Sequence, residues 1–238
     1  MPNYFLTDDI HLNVSRGLVK DAEVVNVFGY NSNVATDFIP LWENNVEYTY
    51  PTSNLVMSAV SSNTTDIGVV YLIQGLDSNF DKVQTTFTVN GTSPVVIDNP
   101  FFRINNVVSI SGSEVGNITI ANSGTTYAKV LAGTGKNQAS IFTVPRGYEF
   151  FLYRIDAFSA TALSNKYCIF RNVVRSSLAN TVLRVAETTF INNMNIMRRS
   201  PFKYSEKVDL QFQAKSSSQT NEVGIFSEGV LVKKPIGP

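Results

Sequence analysis

The feature that most constrains this chain is its rhythm. Short runs of β-branched and aromatic residues recur every roughly 8–14 residues with turn residues between them, the spacing of an all-β protein. Glu23–Tyr30, Leu55–Val60, Ile67–Ile73, Phe101–Ser111, Asn117–Ala121 and Ala128–Leu131 are such runs. Ile141–Val144 stops at Pro145, which has no N–H to give a ladder. Glu149–Phe158, Tyr167–Val174, Asn180–Phe190 and Val223–Val232 follow. Phe87–Ile97 holds Asn90-Gly91 between two apolar stretches, a strong short-range hairpin signal. Val208–Ala214 alternates cleanly, with Val208, Leu210, Phe212 and Ala214 on one face and Asp209, Gln211 and Gln213 on the other. The one stretch arguable as helix, Ser176–Asn192, carries too much Thr and Val.

The pattern predicts an all-β fold, an antiparallel β-sandwich of jelly-roll-like form, built as one large or two small β units. Residues 1–45, weaker in strand signal, are expected as an N-terminal arm with the first strands. A β-sandwich unit is expected over 46–134 and a second β unit over 135–238, with one continuous domain as the alternative. Gly124–Gln138 is the loosest mid-chain stretch and the expected seam.

Composition narrows the function. Of 238 residues, 43% are hydrophobic, enough for a packed core, and only 16% are charged. Asn and Ser, each present roughly two dozen times, fill the gap; an average protein is about 25% charged. Such a surface of amides and hydroxyls can lie against a neighbour with little desolvation cost. Net charge is zero, which argues against nucleic-acid binding and against a polybasic membrane-surface protein. No apolar run approaches the roughly 20 residues of a membrane helix, and no basic-then-apolar secretory leader is visible.

Candidate chemistry is sparse. The single cysteine, Cys168, excludes an internal disulfide, and with the single histidine, His11, it is too few ligands for zinc. Cys168 sits mid-strand, where a buried inert thiol is expected, and His11 is expected exposed. Gly133-Thr134-Gly135-Lys136-Asn137 resembles a phosphate loop but lacks its first Gly and the Ser or Thr after the lysine. Asp77, Asn79 and Asp81 open like a calcium loop, yet Lys82 and Thr88 stand where Gly and Glu are required, leaving only an irregular surface calcium site. Trp42, Tyr48 and Tyr50 are candidates for a partner or sugar platform, with a plug closing one end of the sandwich as the favoured structural reading. Arg198 and Arg199, the one basic doublet of note, are candidates for a partner interface, or a solvated loop. The four Asn-x-Ser/Thr sequons, at Asn13, Asn63, Asn90 and Asn117, are expected by chance in such a composition. No catalytic or cofactor-binding set emerges, and an enzyme is not expected.

A series of short motifs in order does carry a resemblance. They include Gly29-Tyr30-Asn31, Leu41-Trp42, Tyr50-Pro51-Thr52, Gln74-Gly75-Leu76-Asp77, Val89-Asn90-Gly91-Thr92, Phe102-Arg103-Ile104-Asn105, Ala132–Gln138, Phe142-Thr143-Val144-Pro145 and Glu206-Lys207-Val208-Asp209. Over roughly residues 29–232 they resemble virion structural proteins of tailed bacteriophages of marine bacteria. That resemblance implies a particle component without cofactors. The leading expectation within that class is a capsid decoration (cement) protein on the virion surface, bound to the major capsid protein and to copies of itself as a homotrimer or other symmetric oligomer. Tail, neck or baseplate component and host-attachment carbohydrate-binding protein are the alternatives.

Overall fold

The computed structural model describes residues 9–160, 167–179, 181–218 and 220–235. One short helix, α1 (Ile10–Ser15), opens them. Its N-cap, Asp9, accepts hydrogen bonds from the His11 and Leu12 N–H groups, satisfying two donors that a helix start otherwise leaves open. Sixteen strands follow: β1 (Ala22–Val34), β2 (Ile39–Pro40), β3 (Ser58–Ser61), β4 (Ile67–Leu76), β5 (Lys82–Asn90), β6 (Val95–Val96), β7 (Arg103–Ser111) and β8 (Ile118–Asn122). Then come β9 (Thr125–Val130), β10 (Ile141–Thr143), β11 (Tyr148–Ser159), β12 (Cys168–Ser176), β13 (Thr181–Phe190), β14 (Asn193–Tyr204), β15 (Val208–Ser216) and β16 (Asn221–Lys233).

The expected jelly-roll-like sandwich is corrected. The strands are divided among four small antiparallel sheets, the number and size of the blades of a four-bladed β-propeller, instead of the two large layers foreseen. The orders are β1-β16-β11-β14, β10-β15-β12-β13 with β2 beside β15, β6-β3-β8-β9, and β5-β4-β7. Alternation along a strand shows which of its faces is apolar. It carries no information on how many sheets the strands are shared among, and there the expectation failed.

The sheets are not successive meanders. β1 pairs with β16 from Ala22↔Val232 to Val34↔Asn221, so the first and last strands described lie in one sheet. Within the 1–45 segment, residues 22–34 form β1. The chain then leaves to build β3–β9 and returns at β10. Two cores result. The larger joins Val27, Phe150, Leu152 and Ile225 of the first sheet to Phe170, Leu210, Phe212 and Ala214 of the second. The other joins Ala59, Ile118 and Ile120 of the third to Tyr71, Ile73, Phe87 and Val107 of the fourth. Each buried aliphatic or aromatic side chain contributes about 1.5–3 kcal/mol relative to exposure.

Two local expectations are refined. Asn90-Gly91 does make a turn, with Gly91 at φ +57° and its N–H on the Asp66 carbonyl. Yet β6 pairs with β3, so the two flanking runs part into different sheets instead of forming a hairpin ladder. Residues 193–204, rich in Asn and Arg and holding Pro201, are a strand. β14 lies at a sheet edge, where a proline's missing N–H costs no ladder bond. Leu152 faces Phe202 and Arg154 faces Met197, so residues 198–201 stand out from the ladder as a bulge.

Candidate functional site

Two surfaces stand out, a buried junction and an exposed flange. The junction lies where the polar face of β15 meets the rest of the chain. Asp209, Gln211 and Gln213 are fully buried, as are the apolar residues between them. The Arg103 guanidinium, from β7, donates to both Asp209 carboxylate oxygens at 3.0 and 3.2 Å and to the carbonyls of Pro51, Phe102 and Ser177. Thr143 donates its hydroxyl to the same carboxylate at 2.6 Å. The arginine also lies over the rings of Phe102 and Tyr50, at 4.1 and 5.0 Å. A charge pair so buried survives because nearly all its donors and acceptors are met.

Trp42, Tyr48 and Tyr50 belong to this junction. Trp42 is 1% exposed and Tyr48 is 6% exposed, so the partner-platform expectation for them is corrected. Their rings stack edge to face in series, 5.0 and 4.9 Å apart. Trp42 Nε1 donates to the Val46 carbonyl and Tyr48 donates its hydroxyl to the Tyr127 carbonyl of β9. Burial pushes the Tyr48 and Tyr50 hydroxyl pKa values up, with Arg103 pulling the other way. Beside Trp42, Glu43 is buried and accepts from the Gln138 N–H, while its Oε2 has no partner. Burial raises its pKa well above the ordinary 4.5.

The flange is the opposite case. β13 and β14 are the terminal strands of the first two sheets, and both are exposed over most of their length. With the link between them they present Val182, Leu183, Val185, Ile191 and Met197 to solvent, at 44–68% exposure. Between the two strands opens a slot of about 130 Å³ lined by Ile155, Phe170, Val174, Ala186, Ile196 and Phe202. Asn172, at its base, donates to the Tyr204 hydroxyl at 2.6 Å, and its own Oδ1 is buried without a partner. Arg198 and Arg199 are exposed in the β14 bulge, Arg198 lying 4.0 Å over the Phe202 ring. These two candidates thus adjoin the flange, whereas Trp42, Tyr48 and Tyr50 do not. Sequence reading missed the flange's apolar side chains because β13 reads as any other strand; only its place at an edge exposes it.

The remaining candidates fall elsewhere. Asp77, Asn79 and Asp81 share one turn, in which Asp77 Oδ1 accepts from the Asn79 and Asp81 N–H groups. The Asp81 carboxylate takes a bidentate contact from Arg146. Among the described residues there is no group of three or more His, Cys, Asp or Glu arranged to hold a metal. His11 is half-buried, a correction of its expected exposure, and stacks on Tyr153 with ring centroids 3.6 Å apart. Cys168 is buried beside Ser159 and Asn221, and no hydrogen bond joins it to His11.

No protein-family model matches this chain, and no curated protein does. The resemblance to phage virion proteins therefore has no support from sequence comparison. Among solved structures, the weak neighbours are viral capsid proteins. The VP2 subviral particle of infectious bursal disease virus is 10% identical, with 90% of this chain and 72% of that chain covered and a TM-score of 0.28. The Gt strain of the same virus gives 9% identity, 90% and 73% coverage and a TM-score of 0.26. Its D431N mutant VP2 particle gives 7%, 90% and 74%, and 0.23. Scores this low carry no argument about fold or function.

Proposed function

We propose that this protein is a virion structural component that acts by adhesion, and that its flange is the surface through which copies associate. The observation that carries the reading is the pair of long edge strands with five large apolar side chains exposed along them and in the link between them. A free edge offers a row of unpaired N–H and C=O groups to any other strand, so soluble monomers usually blunt it with charge, a bulge or cover. Here the bulge at residues 198–201 blunts part of β14, and β13 is left open. An exposed apolar stripe of this kind marks a protein–protein contact. The self-association partner is a second copy, because a symmetric oligomer uses the same patch on each subunit.

Within that reading, the finer role is capsid decoration. A low-charge, amide- and hydroxyl-rich exterior favours many weak contacts, which add up across a repeating shell and stabilise the assembled state by mass action. The test has two parts. Sedimentation of the purified chain should show a discrete oligomer that falls to monomer in L183K/M197K. The chain should then bind undecorated phage heads and raise their resistance to heat. A monomer at all concentrations would remove the flange reading, and failure to bind heads at any concentration would remove the decoration role.

A further inference from the structure

A second concavity lies on the far side of the first sheet from the flange. It is a cleft of about 640 Å³ between the outer edge of β1 and the β5-β4-β7 sheet, within the 300–1,000 Å³ range of small-ligand sites. One wall has an ordered chemistry. Gln84, Gln74 and Asn106 are direct cross-strand partners, so their side chains form one straight rung across three strands, about 10 Å long at two strand spacings. Asn106 Nδ2 donates to Gln74 Oε1 at 3.0 Å and Gln74 Nε2 donates to Gln84 Oε1 at 3.1 Å. The chain of amides is polarised in one direction. It ends in the free Nε2 hydrogens of Gln84 at one side and the free Oδ1 of Asn106 at the other.

Lysines complete the cleft. Lys82 is paired with Glu23 and lies 4.2 Å over the Tyr148 ring. Lys136, from the loop that only resembles a phosphate loop, is held 4.3 Å over the ring of Phe28. No strand-to-helix turn follows it, and Asn137 instead accepts from the Val107 N–H. Among the described residues no carboxylate pairs with Lys136. It is half-buried, and burial lowers its pKa, the sign of a cation that lacks a counter-ion.

We propose that this cleft is a binding site for an acidic saccharide, whose carboxylate meets Lys136 Nζ and whose hydroxyls meet the Asn106–Gln74–Gln84 rung. A hydroxyl both donates and accepts, as an amide does, so a row of amides matches a row of hydroxyls without leaving either unpaired. One uncompensated ammonium calls for one negative charge. A nucleic acid would need many more cations along its track. The site is independent of the flange and of the shell reading, since neither of its walls includes β13 or β14.

Calorimetric titration of the full chain tests it, with a galacturonate trisaccharide, the galactose trisaccharide of the same linkage, and free galacturonate. The acidic trisaccharide should bind at least about tenfold more tightly than the neutral one, a difference of about 1.4 kcal/mol. The free sugar acid should bind more weakly than the trisaccharide if the rung is used; equal affinity would reduce the site to a carboxylate pocket and overturn the saccharide assignment. K136Q should lose that tenfold preference, K136R should keep most of it, and Q84A should weaken both trisaccharides. Circular dichroism melts confirm that each variant is folded. No binding of the acidic trisaccharide at millimolar concentration, or binding unchanged in folded K136Q, overturns the proposal.

Discussion

β15 and β13 lie in one sheet, separated only by β12, and they invert the usual relation between residue type and burial. β15 buries Asp209, Gln211 and Gln213 on its polar face, while β13 exposes Val182, Leu183 and Val185. The difference is position. β15 has hydrogen-bonded neighbours on both sides and carries the 41–51 segment and Arg103 over its outer face. β13 has a neighbour on one side only. A polar residue inside is stable when its partners are supplied, and Asp209 has Arg103 and Thr143. An apolar residue outside signals either tolerance or a missing partner, and five together favour the missing partner.

The sharpest way to break this contrast is at the junction. Arg103→Met leaves the Asp209 carboxylate buried without its cation and should cost about 3–5 kcal/mol, read as a shift in the denaturant midpoint. The double variant R103M/D209L should recover much of that loss, because two apolar side chains remove both desolvation penalties together. If the double variant is as unstable as R103M, the pair is not the main contact there.

A smaller effect is expected beside Trp42. Burial holds the Glu43 pKa above its unfolded value, so the folded state binds the extra proton. That contribution is fully present below the ordinary 4.5 and is lost as the pH rises through the raised folded value. Glu43→Gln keeps an oxygen for the Gln138 N–H and needs no proton. It should therefore stabilise the protein at pH 7 by about 1 kcal/mol and flatten the fall in stability above pH 4.5, checked by melts across pH. Equal stability of the two proteins across that range would show Glu43 to be solvated.

Asp66 gives the opposite sign. Although burial alone would raise its pKa, the Ser61 hydroxyl and the Val115 and Gly116 N–H groups bind the carboxylate and lower it. Its contribution is present above the unfolded value and is lost as pH falls through the lowered one. Asp66→Asn should remove this acid-side dependence and loosen the 113–117 turn, visible as faster amide exchange at Val115 and Gly116. The smallest effect on folding belongs to the flange. L183K/M197K should change monomer stability by no more than about 0.5 kcal/mol, while removing association. A large loss of monomer stability would mean that β13 belongs to the core after all.

The strands themselves were legible in residue order. The β-branched runs at 23–30, 67–73, 149–158 and 223–232 all lie within strands, because side-chain alternation and turn residues act locally. β14 was not legible, since its Asn, Arg and Pro content suits a strand only at an edge. The aromatic set at 42–50 suits a platform or a plug by residue type alone, and only burial distinguishes them. The flange and the amide rung share one reason for escaping notice. Gln74, Gln84 and Asn106 are individually ordinary, and only strand register puts them side by side.

What the sequence determined alone is the all-β character, the low-charge exterior and the apolar stripes that fill two cores, because each follows from the period and chemistry of neighbouring residues. The tertiary structure decided the four-sheet layout and the burial of the Asp209 face. It also decided the exposure of β13 and the meeting of β1 with β16 across nearly the whole chain. Those depend on which strand lies next to which, and pairing as distant as Ala22 with Val232 leaves no mark on the local pattern of either partner.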